Sequence, residues 1–271
     1  MTDGRELAGL VAIVTGAGSQ GDGSGDGRAC AVLLARAGAK VALVDADADR
    51  LTQTENMVGA AGADFLSLTA DVATETGCRM VVDSVMRQWG RIDVLVNNVG
   101  VVGPPESVVD IDIAEWDSVF RLNVTSTMLM SKYCIPPMQS AGGGSIVVVS
   151  SIAGVHTHSR PAYAMTNGAL LSLTRSMASR HGPEGIQVNA VAPGSVRTPM
   201  VVQAEALAEE TRVSRSAMLP LRAGGTAWDV GEAVLHLASP RSRWVTGITL
   251  TVDGGLCADL RTSHATTVMP A

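Results

Sequence analysis

The glycine-rich stretch after residue 15 contains residue types suited to holding a phosphate group. Glycines let a backbone approach a pyrophosphate closely because they carry no Cβ, and a following helix offers unpaired N–H groups and a partial positive charge. Gly16, Gly18 and Gly21 spell GxGxxG, whereas Gly25 and Gly27 lie nearer to the next helical pattern. Either set could form a phosphate cradle, and a plain flexible turn is the remaining alternative.

The position at which the next helix begins favours the second set. Residues 19–26 have no apolar face and too many glycines for a helix, so we expect the helix to begin near Gly27. Glycines that bind phosphate lie immediately before such a start. We therefore predict cofactor binding at Gly16, Gly25, Asp26 and Gly27.

Asp45 ends the second apolar run, about 30 residues after the first, where a carboxylate can accept hydrogen bonds from ribose hydroxyls. A 2′-phosphate would be repelled by this charge, and Ala46, Asp47 and Ala48 bring no cation to offset it. The residues therefore predict NAD (NADH) as the cofactor. The alternative is a surface aspartate that caps the next helix.

Short apolar runs rich in Val, Ile and Leu alternate with longer segments of helical periodicity, which predicts βαβ units and a parallel sheet. The predicted strands are 10–15, 40–45, 64–69, 92–97, 145–150, 187–192 and 249–252. The predicted helices are 27–37, 48–60, 74–89, 114–140, 163–181 and 226–238. The predicted fold class is α/β: a single-domain, Rossmann-type, doubly wound, seven-stranded parallel sheet with helices on both faces.

Residues 1–258 are expected to form this domain, and the polar residues 259–271 a C-terminal tail. Residues 198–225 contain no strand pattern, and their AEALAEE stretch favours a helix. A lid over the substrate and a merely structural excursion are equally compatible with this segment.

Composition excludes several classes of function. The net charge is −6 with no Lys/Arg cluster, so we expect no nucleic acid partner. No run approaches the roughly 20 apolar residues of a membrane-spanning helix, and the first residues are not of the signal-peptide type, so we expect a cytoplasmic protein without a membrane partner. The cysteines and histidines show no ligand spacing, so we expect no metal.

Several motifs, in order, resemble the classical short-chain dehydrogenase/reductase family over nearly the whole chain. They are Thr15-Gly16 with Gly25 and Gly27; Asp71-Val72; Asn97-Asn98-Val99-Gly100, with Val for Ala; Asn123; Ser151; Tyr163; and Pro193-Gly194 with Val196 and Thr198. The resemblance implies that Asp71, Val72, Asn98, Gly100, Pro193, Gly194, Val196 and Thr198 contact the cofactor, as do Tyr163 and Asn167.

The same resemblance implies a reaction, the interconversion of a secondary alcohol and a ketone by hydride transfer. Tyr163 would be the acid/base, Ser151 would polarise the substrate oxygen, and Asn123 would hold a water in the proton path. Ser150 is the alternative serine, because the interval from Ser151 to Tyr163 is one residue shorter than is common. We expect the substrate to contact Ser151 and Tyr163, with His156 and His158.

The chain departs from the family's YxxxK motif, since residue 167 is asparagine. Asn167 shares a helix face with Tyr163 and can hydrogen-bond a ribose hydroxyl, so it is kept as a catalytic and cofactor-binding position. A cation about 5 Å from the phenol would favour the phenolate by roughly 3 kcal/mol, or about two pKa units, and asparagine supplies no charge. Three alternatives stay open: a working enzyme that is compensated by His156, His158 or Arg160 or has an alkaline optimum, a weakened copy that binds NAD, and a lyase, isomerase or binding protein on this fold.

The second departure is an insertion at residues 19–23, which we expect to lengthen the rim on the cofactor side. The loops at 101–106, 156–160 and 200–219 are moderately apolar, which favours a neutral alcohol or ketone as the small-molecule partner. The resemblance further implies a homotetramer or homodimer formed through the two long helices.

Overall fold

A computed structural model of the chain describes residues 5–21, 23–156, 158–199 and 219–259. Its strands are β1 (Val11–Thr15), β2 (Lys40–Asp45), β3 (Phe65–Thr69), β4 (Val94–Asn97), β5 (Gly144–Val149), β6 (Ile186–Pro193), β7 (Val196–Arg197), β8 (Gly225–Thr226) and β9 (Thr249–Val252). Its α-helices are α1 (Asp26–Arg36), α2 (Ala48–Ala60), α3 (Glu75–Trp89), α4 (Ile113–Phe120), α5 (Ser126–Ser140), α6 (Pro161–His181) and α7 (Ala227–Ala238).

The main sheet has seven parallel strands in the order β3-β2-β1-β4-β5-β6-β9. The predicted fold class is confirmed, and the predicted strands and helices end within two residues of the observed ones, apart from one interruption described below. The short strands β7 and β8 form a separate parallel pair.

Alternation along the strands explains why both faces of the sheet are covered. In β1, Val11 and Ile13 pack into the core formed with α3, α5 and α6, whereas Ala12 and Val14 pack into the core formed with α1, α2 and α7. Successive side chains of a strand point to opposite faces, so a strand of apolar residues alone must be buried on both sides. The central strand therefore joins two hydrophobic layers.

The predicted helix 114–140 is wrong in one respect, because a π-helical turn at Arg121–Thr125 separates α4 from α5. Asn123 lies in this turn and is buried. Its amide donates to the Val101 carbonyl at 3.0 Å and accepts from the Val101 N–H at 2.8 Å. Single π turns inside α-helices are frequent at functional sites, and helical periodicity alone does not reveal them.

The strand order reverses between β1 and β4, and this reversal positions the site. The connections from these two strands leave in opposite directions, so a crevice opens at their carboxyl ends. Gly16 follows β1 and Asn98 follows β4, and the Asn98 side chain donates to the Gly16 carbonyl at 3.1 Å. The loops predicted to bind a cofactor therefore meet at one edge of the sheet.

Some expectations fall on residues that the structure does not describe. They are residues 200–218 of the proposed lid at 198–225, which include its AEALAEE stretch, and all but the first residue of the predicted tail, at 260–271. In the described part of the chain, no helix is long and apolar enough to cross a membrane. The same part contains no group of three His, Cys, Asp or Glu side chains placed to hold a metal ion.

A carboxylate ties the start of the central strand to β4. Asp93 accepts from the Val11 N–H at 2.9 Å and from the Arg91 guanidinium at 2.9 and 2.7 Å. Val11 is buried, so its N–H has no alternative partner in water.

We expect Asp93→Ala to lower the free energy of unfolding by about 1–3 kcal/mol, because the substitution leaves a buried N–H unpaired. Urea unfolding followed by circular dichroism measures this loss. Asp83→Ala, which removes an exposed carboxylate on α3, is the matched control and should change the same quantity by less than about 0.5 kcal/mol. Equal losses in the two variants would contradict the assignment.

Candidate active site

A cavity of about 280 Å³ lies at the carboxyl ends of the central strands. Most of the residues predicted to form the site line it: Gly16, Gly25, Asp26, Gly27, Asp45, Asp71, Val72, Asn98, Gly100, Asn123, Tyr163, Asn167 and Thr198. Six predicted residues are not among its lining: Ser151, His156, His158, Pro193, Gly194 and Val196. The fold thus brings together residues from the first 30 positions and from the sixth helix.

The turn between β1 and α1 is built on close backbone contacts. A Cβ on Gly27 would lie 1.9 Å from the Gly16 carbonyl oxygen and 2.5 Å from the Asn98 side chain. Gly16 has a φ of +63°, a conformation that side chains disfavour. Helix α1 begins at Asp26, and its N-cap, Gly25, provides no side-chain cap. The uncapped N–H groups and the glycine cradle therefore open on the same cavity.

Gly18 has a role that the spacing argument missed. A Cβ there would lie 2.8 Å from the Asp45 carboxylate and 2.6 Å from the Arg50 side chain. Gly18 also lines the cavity, whereas Gly21 does not. The glycines at the cavity are therefore Gly16, Gly18, Gly25 and Gly27. They are the favoured set, together with Gly18 from the GxGxxG set.

The insertion at residues 19–23 is anchored at both ends. The Ser19 hydroxyl accepts from the Gly25 N–H at 3.1 Å. The buried Arg28 guanidinium donates to the Gly23 carbonyl and, at 2.6 Å, to the Gln53 side chain. Ser19 also lines the cavity, so the insertion lies beside it. Its contribution to a cofactor rim stays a prediction.

Asp45 ends β2 with both carboxylate oxygens accepting backbone N–H groups. The donors are Gly18, at 3.0 Å, and Asp47, at 3.2 Å. Arg50 lines the same cavity and forms an ion pair with Asp47 at 3.2 Å. The sequence argument considered only residues 46–48 and missed this cation, although the i,i+3 spacing on α2 from Asp47 to Arg50 was a signal.

Tyr163 and Asn167 lie one turn apart near the start of α6 and line the cavity together. The Asn167 amide donates to the Tyr163 carbonyl at 2.9 Å and accepts from the Ser150 hydroxyl at 3.2 Å. The hydroxyl of Ser151 accepts from the Ala153 N–H at 3.1 Å, and hydrogen bonding to Ser151 lowers the pKa of the phenol. Ser150 is therefore bound to Asn167, and Ser151 acts on Tyr163.

Burial raises the pKa of the Tyr163 phenol above its ordinary value. Hydrogen bonding by Ser151 and Asn167 acts in the opposite direction, while the negative charge of Asp26 raises the pKa further. The protonated phenol is therefore the favoured form at neutral pH.

Arg160, His158 and His156, the candidates to compensate for the family's missing lysine, differ in their contacts. The Arg160 guanidinium donates to the Gly103 carbonyl at 2.7 Å, so it is used by the loop after β4. His158 packs against Tyr163 with 5.2 Å between ring centroids. His156 is exposed on the loop before α6.

Asp26, a predicted site residue, has an environment that the sequence did not reveal. Its Oδ1 atom is buried with no hydrogen-bond partner among the described residues, and burial raises the pKa of this carboxyl to about 7. A carboxyl group that loses hydration without gaining partners favours its neutral form. The site therefore contains an acid that titrates near neutrality.

Two further predicted cofactor residues, Asp71 and Gly194, are held by contacts within the protein. Asp71 accepts from the Ala73 N–H at 2.9 Å and pairs with Arg121 at 3.6 Å. The Gly194 N–H donates to the Val252 carbonyl at 2.9 Å, and a Cβ on Gly194 would lie 2.7 Å from the Asp253 side chain. Their roles toward a cofactor stay predictions.

Comparison with known proteins gives the class of this chain. The family model described as enoyl-(acyl carrier protein) reductase matches residues 21–257. A 2-(S)-hydroxypropyl-CoM dehydrogenase of Xanthobacter autotrophicus is 37% identical over 242 residues, which cover 88% of this chain and 94% of that protein.

Two solved structures agree. A short-chain dehydrogenase/reductase from Burkholderia xenovorans is 37% identical with a TM-score of 0.90, covering 94% of this chain and 98% of that one. A 7α-hydroxysteroid dehydrogenase in complex with NADH and 7-oxo glycochenodeoxycholic acid is 31% identical with a TM-score of 0.86, covering 94% and 97%. The chain belongs to the short-chain dehydrogenase/reductase family and is an oxidoreductase.

We expect Gly27→Ala to weaken NADH binding by at least tenfold, about 1.4 kcal/mol, because the new methyl group would force the Gly16 carbonyl out of the cradle. Titration followed by NADH fluorescence measures the affinity. Gly182→Ala, at the end of α6 in open space, is the control and should leave the affinity unchanged. If Gly27→Ala bound NADH as tightly as the wild type, the glycine cradle would not be part of the cofactor site.

Proposed function

We propose that the protein is an NAD(H)-dependent oxidoreductase that interconverts a secondary alcohol and a ketone by hydride transfer. The observation that carries the proposal is a single cavity lined by a glycine cradle, the Asp45 carboxylate and the Tyr163 phenol. A dinucleotide has a phosphate pair, a ribose and a reactive ring, and the cavity provides a group suited to each of them.

The residues fit a nicotinamide dinucleotide. The uncapped N–H groups of α1 and the missing Cβ of Gly27 suit a pyrophosphate, and Asp45 suits the ribose hydroxyls of the adenosine half. When bound, the nicotinamide supplies or accepts the hydride. The related hydroxysteroid dehydrogenase solved with NADH supports this choice of cofactor.

The protein's own groups handle the substrate proton. In ketone reduction Tyr163 donates its phenolic proton to the carbonyl oxygen, and in alcohol oxidation the phenolate accepts the hydroxyl proton. Ser151 is the better candidate to polarise that oxygen, because hydrogen bonding to Ser151 lowers the pKa of the phenol, whereas the Ser150 hydroxyl donates to Asn167.

The raised pKa of Tyr163 gives the two directions different pH dependence. Below this pKa the phenol is protonated and ready to donate, so the rate of ketone reduction should be flat through neutrality. Alcohol oxidation needs the phenolate, so its rate should rise as the pH increases toward the pKa. The enzyme is therefore better suited to ketone reduction at neutral pH.

The substrate we propose is a neutral alcohol or ketone. Val101, in the loop 101–106, lines the cavity, and this loop has few charged side chains. The similar proteins are named for hydroxy compounds of unrelated shapes, which supports the reaction class and not one substrate. The cytoplasmic location and the dimer or tetramer stay predictions.

The cofactor preference is testable at Asp45. We expect Asp45→Asn to raise the ratio of kcat/KM with NADPH to that with NADH by at least about tenfold, because the amide retains a hydrogen-bond acceptor but no longer repels a 2′-phosphate. Asp49→Asn, which removes an exposed carboxylate in the first turn of α2, is the control and should keep the wild-type ratio. A preference for NADPH in the wild type would contradict NAD as cofactor.

The effect of the missing lysine is testable at position 167. We expect Asn167→Lys to raise the rate of secondary-alcohol oxidation near pH 7 by about 10–100-fold, since a nearby cation would lower the pKa of Tyr163 by about two units. The pH profile of kcat/KM with a panel of secondary alcohols should move to lower pH by the same amount.

Asn167→Met is the matched control, because methionine is unbranched and nearly as long as lysine but uncharged. An unchanged profile in Asn167→Lys would show that the missing charge does not limit catalysis. If the wild type were inactive and Asn167→Lys active, the result would favour the second candidate, a weakened enzyme that still binds NAD. That candidate rests on Asn167 and on the raised pKa of Tyr163.

A further inference from the structure

Asp26 has a buried carboxyl oxygen that lacks a partner. It is the first residue of α1 and lies between the two glycines that open the helix. Asp26 lines the cavity, and its Oδ1 atom is buried without a hydrogen-bond partner among the described residues. By contrast, both carboxylate oxygens of Asp45 in the same cavity accept N–H groups. Asp26 therefore has a polar atom that needs a partner.

Two titratable groups respond to the charge of Asp26 without neutralising it. Tyr163 on α6 and Cys30 on α1 both respond to its charge: burial is the larger cause of their raised pKa values, and the Asp26 carboxylate raises them further. Both groups are neutral in their favoured forms. Neither can therefore stabilise an ionised carboxylate as a counter-ion.

The charged groups elsewhere in the cavity are committed to other partners. Asp45 and Asp71 carry the same sign as Asp26, and Arg50 is paired with Asp47. The Arg28 guanidinium, also on α1, is directed to the insertion and to α2. Among the described residues, then, no cation offsets Asp26.

The proposed cofactor would bring two more negative charges to this point. If the pyrophosphate binds at the uncapped start of α1, it lies beside the residue that begins the helix. An ionised carboxylate there would repel the phosphates, whereas a neutral carboxyl group has an O–H that can donate to an anionic or hydroxyl oxygen.

We propose that Asp26 takes up a proton when the dinucleotide binds and then donates a hydrogen bond to it, so that dinucleotide affinity falls as the solution becomes more alkaline. This inference rests on the proposed function, because it requires a dinucleotide in the cavity. It assigns Asp26 to cofactor binding through its neutral form and makes binding depend on a proton.

The direction of the effect follows from the free enzyme. Burial raises the pKa of Asp26 to about 7, so the carboxyl is largely protonated at pH 6 and largely ionised at pH 8. Binding that requires the protonated form must take up a proton at the higher pH. Affinity is therefore highest below about pH 7 and decreases above it.

Isothermal titration calorimetry with NADH tests this directly. For the wild type we expect the dissociation constant to rise about tenfold between pH 6 and pH 8, with close to one proton taken up at pH 8. Titrations in two buffers of different ionisation enthalpy measure that proton. For Asp26→Asn we expect a change of less than about twofold over the same range, and tighter binding than the wild type at pH 8.

Two further variants keep the result interpretable. Asp26→Ser removes the charge with a different side chain, so agreement with Asp26→Asn excludes an effect of misfolding in one variant. Asp49→Asn removes an exposed carboxylate on the neighbouring helix and should keep the pH dependence of the wild type. Loss of the dependence in Asp49→Asn would assign it to general charge and overturn the proposal.

The outcomes separate this inference from the proposed function. Wild-type binding of NADH that is independent of pH and takes up no proton would overturn the role of Asp26 and leave the oxidoreductase assignment intact. The same pH dependence in wild type and Asp26→Asn would assign the proton to another group and also overturn it. No NADH binding by any variant at either pH would refute the proposed function itself.

Discussion

The contact between Gly16 and Gly27 is the constraint on which the rest of the site depends. Because neither residue carries a Cβ, the first turn of α1 can lie against the carbonyl that ends β1. This approach directs the uncapped N–H groups of the helix into the crevice where the strand order reverses. Asp26 is carried to the same place, since it lies beside Gly27 in the chain. The geometry that favours an anion therefore also buries a carboxyl group, and the two effects oppose each other.

The surroundings of Tyr163 do not favour the ionised phenol that alcohol oxidation requires. Tyr163 is buried, the group placed one turn after it is the neutral Asn167, and Asp26 adds a negative charge. Burial and the charge of Asp26 favour the neutral phenol, and Asn167 supplies no cation to offset them. A carboxyl that becomes neutral when the cofactor binds would remove one of these influences on Tyr163. Cofactor binding and the acid/base group would then be coupled through the protonation of a single residue.

The surrounding structure holds these groups in place through contacts over long sequence distances. Asn123, in the π turn, joins the loop after β4 to α6 by bonding to Val101 and, at 3.0 Å, to the Thr166 hydroxyl. Arg28 holds the insertion in the same way, because its guanidinium donates to the Gly23 carbonyl. These buried polar contacts orient backbone segments that have no regular hydrogen-bonding ladder of their own. Removing either side chain would disturb the loops before it disturbed the sheet.

The sequence by itself determined the sheet, its strands, most helix ends and the start of α1, because apolar periodicity and glycine content are local properties that the chain order preserves. Most of the site residues that it predicted, through motifs whose order matches a known family, line the cavity. The tertiary structure alone decided the π turn around Asn123, the separate hydrogen bonds of the two adjacent serines, and the lack of a partner for the Asp26 Oδ1 atom among the described residues. Each of these depends on burial or on a partner brought close only by folding, and neither is visible in the spacing of residues along the chain.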